Sequence, residues 1–231
     1  MKTLLWREWG WNRALVIAGV VIFLIPYTIA TGALVWPSES PVDGDDVAYV
    51  VIEAAIVSCF ASTLTITCLA GNAFAGERTD RTAEFLAYLP ISKLRRLIGK
   101  LSLSAIVALF IFGSNWLVVW LLEDQLDIQI RIGIDFFTPI KNVAFASLVM
   151  FGAAWFVSSF QSSATFAVCA GVAAPMLIML GLAFVVQGLE SSGRNVDFEQ
   201  VFEAGFPICT LAIFALGFPL GTWLFLRRIE P

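Results

Sequence analysis

The chain has 231 residues, of which 59% are hydrophobic and only 14% charged, with a formal net charge of −4. So little charge over so much apolar surface excludes a water-soluble globular enzyme and places the chain in the membrane class. It contains no histidine at all, which removes the commonest metal ligand and the commonest general base near neutral pH, and with them zinc-peptidase motifs, Ser-His-Asp triads and axial His ligation of haem.

Residues 1–13, MKTLLWREWGWNR, carry Trp6, Trp9 and Trp11 among Arg7, Glu8 and Arg13. Leu5, Trp6 and Trp9 share one helical face, and tryptophan favours the membrane–water interface. This predicts an N-terminal interfacial helix that lies in one leaflet and turns into the first span; the plainer alternative is a ragged span end with an aromatic belt. The first apolar stretch, 14–36, exceeds the h-region of a signal peptide and is followed by no clear A-x-A site, so it is expected to remain as a span. An acidic, turn-rich loop follows, with Asp43, Asp45 and Asp46, and reads as a solvated connector.

The second stretch, 47–75, contains one charged residue, Glu53. An ionisable group at that depth is a functional hypothesis by default: it lines a substrate path, or it reaches the outer interface. The connector 76–100, GERTDRTAEFLAYLPISKLRRLIGK, is the most informative polar segment. Phe85, Leu86 and Leu89 fall on one face if residues 80–89 are helical, with Arg81 and Glu84 as i,i+3 partners. Pro90 stops that helix, and Ser92 caps the next one, which carries Lys93, Arg95, Arg96 and Lys100 into the third span. The expected product is a short amphipathic helix lying along the membrane, with an apolar face that needs a partner.

The third span covers 101–122. After it, residues 126–135 alternate apolar and polar with period two, a strand signature. The fourth span, 143–160, is followed by a short uncharged turn around Ser158–Ser163 and the fifth span, 164–187. The acidic loop 188–205 leaves room for a short helix begun at Asn195, and the sixth span covers 206–226. Each stretch approaches or exceeds the roughly 20 residues needed to cross a hydrocarbon core about 30 Å thick. Inside the spans, Ser62, Thr65, Asn72 and Asn115 read as interhelical hydrogen-bonding groups, and Cys59, Cys68, Cys169 and Cys209 as packing residues. Gly217 and Gly221 form a G-x-x-x-G that lets helices approach closely, with a dimer seam as one use; Pro26, Pro175 and Pro219 are candidate kinks.

The basic residues sort by side. If the N-terminus is cytoplasmic, Lys2, Arg7, Arg13, Arg78, Arg81, Lys93, Arg95, Arg96, Lys100, Arg227 and Arg228 lie inside, and only Arg131, Lys141 and Arg194 lie outside. The positive-inside rule then puts both termini in the cytoplasm. The expected fold is an all-α integral membrane domain over 1–231, six transmembrane helices in one bundle at the plasma (inner) membrane. No phosphate-binding G-x-x-x-x-G-K-[ST] loop is present, so any ATP must be bound by another chain.

The connector carries a resemblance. Glu77, Thr82-Ala-Glu-Phe-Leu86, Leu89-Pro-Ile-Ser-Lys93 and Gly99-Lys100 resemble the corresponding run in permease subunits of type-2 ATP-binding-cassette (ABC) transporters. The departure is Thr82-Ala83 where Gly-Thr is common. With the six spans, the Trp-rich N-terminus and both termini inside, the resemblance covers effectively the whole chain. It implies a permease, an exporter, working as a dimer with a second copy or a paralogue. It implies a separate ATPase subunit that binds and hydrolyses the ATP, so that this chain is no enzyme and holds no cofactor, metal or nucleic acid. It further implies that the segment after span two is a coupling helix seated in the ATPase, with Glu77, Arg81, Glu84, Phe85, Leu86 and Tyr88 as coupling residues. Variants of this reading are a haem-exporter-type permease and a non-transporting scaffold or immunity protein of the same fold. A membrane-embedded lipid transferase is the competing class; it would need Glu77, Asp80 and Glu84 as a reactive cluster, a pattern better explained by helix pairing.

Overall fold

The computed structural model describes residues 2–35, 44–79, 92–126, 137–192 and 198–227. These form six helices: α1 Lys2–Val35, α2 Gly44–Thr79, α3 Lys93–Leu126, α4 Phe137–Ser158, α5 Ala164–Ser191 and α6 Phe198–Arg227. Each contains a stretch long and apolar enough to cross a membrane. The outward faces carry that point further. On α5 the buried residues Ala167, Gly171, Ile178, Leu182 and Val186 form one stripe, as spacings of four and seven require. The opposite face shows Met176, Leu177 and Phe184, each more than 60% exposed. A helix that is apolar all round has hydrocarbon, not water, as its solvent.

The expected spans all appear, and the helices overrun most of them. α1 is one uninterrupted helix of 34 residues, so residues 2–13 do not break off as a separate element; at about 1.5 Å per residue it is about 51 Å long, well beyond the hydrocarbon thickness. Pro26 lies inside it without ending it. The expected start of a short helix at Asn195 lies outside the described residues; α6 is already helical at Phe198 and runs on through Gly205. α5 likewise extends past 187 to Ser191. The turn between α4 and α5 is short as expected, and Ser163 caps α5 by accepting a hydrogen bond from the Phe166 N–H. The alternating segment, 126–135, lies outside the described residues except for its first residue, Leu126, which ends α3. The predicted amphipathic helix, 80–89, also lies outside them.

The helices pack as two compact units. One comprises Thr67–Lys100 and Phe145–Pro231. Its core holds Val149, Ile178, Leu182 and Phe206, with Phe202 and Cys209 against them. Glycines set its tightest approaches. A Cβ on Gly171 would stand 2.7 Å from the Met150 carbonyl oxygen and from Thr67 Cγ2, so α2, α4 and α5 meet there only because that atom is missing. Gly217 and Gly221 press on α4, with Cβ positions 3.2 Å from the Gly152 carbonyl oxygen and 3.0 Å from Phe156 Cα. The G-x-x-x-G thus serves packing inside the chain rather than a dimer seam.

The other unit comprises Lys2–Ile66 and Leu101–Ala144. Ala48, Ile52, Ala55, Cys59, Val119 and Ile140 form its core, with Tyr27 and Phe112 packed around them. Polar side chains join its helices: the Tyr27 hydroxyl donates to Asn115 Oδ1 at 2.6 Å, and Ser58 donates to the Phe23 carbonyl oxygen at 2.8 Å. Asn115 therefore does the interhelical work expected of it. Ser62 does not, for its hydroxyl is buried without a hydrogen-bond partner.

Candidate functional site

The densest buried charge among the described residues lies where α2 ends and α3 begins, on either side of residues 80–91. Glu77, two residues before the end of α2, meets Lys100, two turns into α3: the Nζ–Oε1 distance is 2.8 Å, with 5% and 3% of the two side chains exposed. Removing two charges from water costs several kcal/mol per ion, so such a pair persists only where the geometry returns most of that cost. Its value is positional. It fixes the end of one helix to the start of the next.

Arg78, the next residue, points to a different element. Its Nη1 donates to the carbonyl oxygens of Ser158 and Gln161 at 3.2 and 2.9 Å, and its Nη2 donates to that of Ser159 at 2.5 Å. These carbonyls belong to the end of α4 and the turn after it, where the last helical C=O groups lack intrahelical partners and the helix dipole is negative. A guanidinium, planar and always charged, is the side chain suited to several carbonyls at once.

Arg96, one turn before Lys100 on α3, is only 3% exposed. Its guanidinium lies over the Phe225 ring of α6, 5.9 Å from the centroid, within the range of a cation–π contact. Its Nε and Nη1 have no hydrogen-bond partner. Phe225 in turn stacks on Phe74 of α2 at 4.4 Å, and Phe74 meets Trp155 of α4 edge-on at 4.6 Å. The Trp155 indole N–H donates to Thr222 at 3.3 Å. Behind the charges therefore stands an aromatic wedge from three helices. The start of α3 is held by Ser92, as expected: its hydroxyl accepts from the Arg95 N–H at 3.4 Å.

Of the predicted coupling residues, Glu77 belongs to this cluster. Arg81, Glu84, Phe85, Leu86 and Tyr88 lie outside the described residues. Glu53 is elsewhere, exposed on α2 in the other unit; the hydroxyl of Tyr49, one turn earlier, donates to its carboxylate, so its partner comes from its own helix. The sequence reading missed Arg78 and Arg96 as site residues and counted them only toward topology. The available signal was position: both flank the amphipathic segment, and Arg96 and Lys100 share a helix face four residues apart. The described residues bring no three metal-ligating side chains together, and the cysteines are free thiols.

Comparison with known proteins gave no matching family, no matching curated protein and no matching solved structure.

Proposed function

We propose that the chain is the membrane permease subunit of an ABC transporter, an exporter driven by ATP hydrolysed in a separate ATPase subunit. In this reading residues 80–89 form the coupling helix, on the cytoplasmic side with both termini. The N-terminal turns of α1 set Trp6, Trp9 and Trp11 at the headgroup level of the same leaflet, and a second permease completes the transporter. The observation that carries the reading is the placement of three buried charges, Glu77, Arg96 and Lys100, and the half-buried Arg78. Glu77 and Arg78 precede residues 80–91, and Arg96 and Lys100 follow them; the Glu77–Lys100 pair ties the two sides together. A coupling segment joined to α2 and α3 at these points would pass force to the ends of the helices that the cluster links, α2, α3, α4 and α6. That suits transmission of work from an outside motor, and the absence of a phosphate loop in the sequence agrees with the motor being another chain.

The experiment is affinity capture of the full-length chain from its native membrane, with and without Phe85→Asp plus Leu86→Asp. A P-loop ATPase should accompany the unaltered chain and be lost from the double variant, while both elute alike on gel filtration. Capture of no ATPase, or an ATPase equally retained by the variant, overturns the reading.

A further inference from the structure

Within the unit formed by Lys2–Ile66 and Leu101–Ala144, an open groove of about 830 Å³ runs between α1 and α3. That is within the roughly 300–1,000 Å³ usual for ligand sites. Its walls follow helical spacing: Val16, Gly19, Val20 and Phe23 on α1, and Leu103 to Ile111 on α3. α2 contributes Thr65 alone, the one hydroxyl in the lining, and no charged side chain takes part. Gly19 makes the arrangement possible, since a Cβ there would stand 2.4 Å from Thr65 Cγ2 and drive α1 away from α2.

The length of the groove selects its occupant. It begins at Trp6 and Trp9, residues suited to the membrane interface. It ends at Phe23 and Phe110, whose rings meet with centroids 5.5 Å apart. Phe23 lies near the middle of the α1 span Glu8–Val35, and Phe110 near the middle of the α3 span Lys93–Leu122. From Trp9 to Phe23 is about 21 Å of helix, close to half of a bilayer about 40–45 Å thick with its headgroups. A helix of a second copy would need a contact running the full depth. A polar solute would find nothing to bond to beyond Thr65 and, at the mouth, the indole N–H groups of Trp6 and Trp9. We propose that this groove is a lipid site, seating one acyl chain of a phospholipid from the leaflet in which α1 begins, with the headgroup beside Trp6 and Trp9. The proposal does not depend on the permease reading.

The test uses the full chain in nanodiscs of phosphatidylcholine and phosphatidylglycerol, doped with a phosphatidylcholine that carries a diazirine on one acyl chain. After irradiation, labelled peptides are located by mass spectrometry. Labelling at residues 16–23 and 103–111 should exceed that at Met176 and Leu177, both exposed on α5, at least fivefold. Val20→Trp with Val107→Trp should cut the groove labelling at least fivefold and leave α5 labelling unchanged. Equal labelling of groove and α5 in the unaltered chain overturns the site whether or not the double variant folds. So does an efficient intermolecular disulfide from Val107→Cys in a background lacking the native cysteines, which would show a second copy in the groove.

Discussion

Lys100 and Glu77 are each nearly sealed from solvent, so what matters for either is how the charge of the other is met. Replacing Lys100 by Met removes the cation and leaves the Glu77 carboxylate to be accommodated by its other neighbours; loss of one partner of a buried pair typically costs about 3–5 kcal/mol. The paired change, Glu77→Leu with Lys100→Met, removes both desolvation costs and should recover at least about 2 kcal/mol of that loss. Unfolding in mild detergent, followed by thermal shift, checks both; a double variant no better than Lys100→Met would show that the two side chains act independently. Arg78 is a different case, because its partners are backbone. Arg78→Ala leaves the three carbonyl oxygens at the end of α4 without this donor and should cost about 2–3 kcal/mol, the range for charge-assisted bonds. Arg78→Lys should restore less than half, since an ammonium cannot reproduce a planar fork. Sequence reading reached Glu77 through a motif resemblance but could not see its partner, because Lys100 is 23 residues away and only the packing of α2 on α3 brings them together. Arg78 and Arg96 looked like topology signals because a basic residue near a span end is ordinary there; the carbonyl partners of Arg78 and the burial of Arg96 are tertiary facts that no local pattern encodes.

Between helices, the close approaches are set by missing atoms rather than by present ones. Gly171 and Gly181 both lie on α5, ten residues apart. A Cβ at Gly171 would strike the Met150 backbone oxygen and Ala154 Cβ inside 3.0 Å, whereas nothing lies within 4 Å of one at Gly181. The same substitution should therefore have opposite signs. Gly181→Ala should stabilise by about 0.5–1 kcal/mol, the helical preference of alanine over glycine. Gly171→Ala should destabilise by about 2 kcal/mol or more, as overpacking against backbone does. Thermal shift of both variants checks this, and a neutral Gly171→Ala would mean that α5 can move away from α4 at no cost. At this scale the sequence was readable. Six apolar runs gave six helices, because length and hydropathy are local properties that hydrocarbon enforces directly. The misreadings were of ends. Residues 2–13 are part of α1, since nothing in Trp-Arg-Glu-Trp breaks a helix and hydrogen bonding favours propagation once a helix exists. α6 likewise begins upstream of its apolar part, with Glu199 in its first turn, where the positive end of the helix dipole favours acid.

For the molecule as a whole, the arrangement of charge relative to the membrane bears on every functional reading, because a coupling segment must face the compartment that holds its motor. Helix count and direction relate the sides. With six crossings, the start of α1, the end of α2, the start of α3 and the end of α6 share one side; the starts of α2 and α4 share the other. Ser92 and Lys141 are both exposed and both described, one just before α3 and the other in the first turns of α4, so they report the two sides without resting on residues 80–91. The four native cysteines all lie within helices and can be replaced by Ala or Ser beforehand. In that background, Ser92→Cys should resist a membrane-impermeant maleimide in intact cells and react once the membrane is permeabilised, with at least a tenfold rise in labelling. Lys141→Cys should react fully in intact cells and gain nothing from permeabilisation. The charge asymmetry makes this the expected outcome: eleven Lys and Arg residues go to one side and three to the other, and carrying the larger set outward opposes the bias that orients helices at insertion. The converse pattern, Ser92 open and Lys141 closed, would put residues 80–91 outside the cell, out of reach of any cytoplasmic ATPase. The permease reading would then fall, while the six spans, the Glu77–Lys100 pair and the lipid groove would stand unchanged.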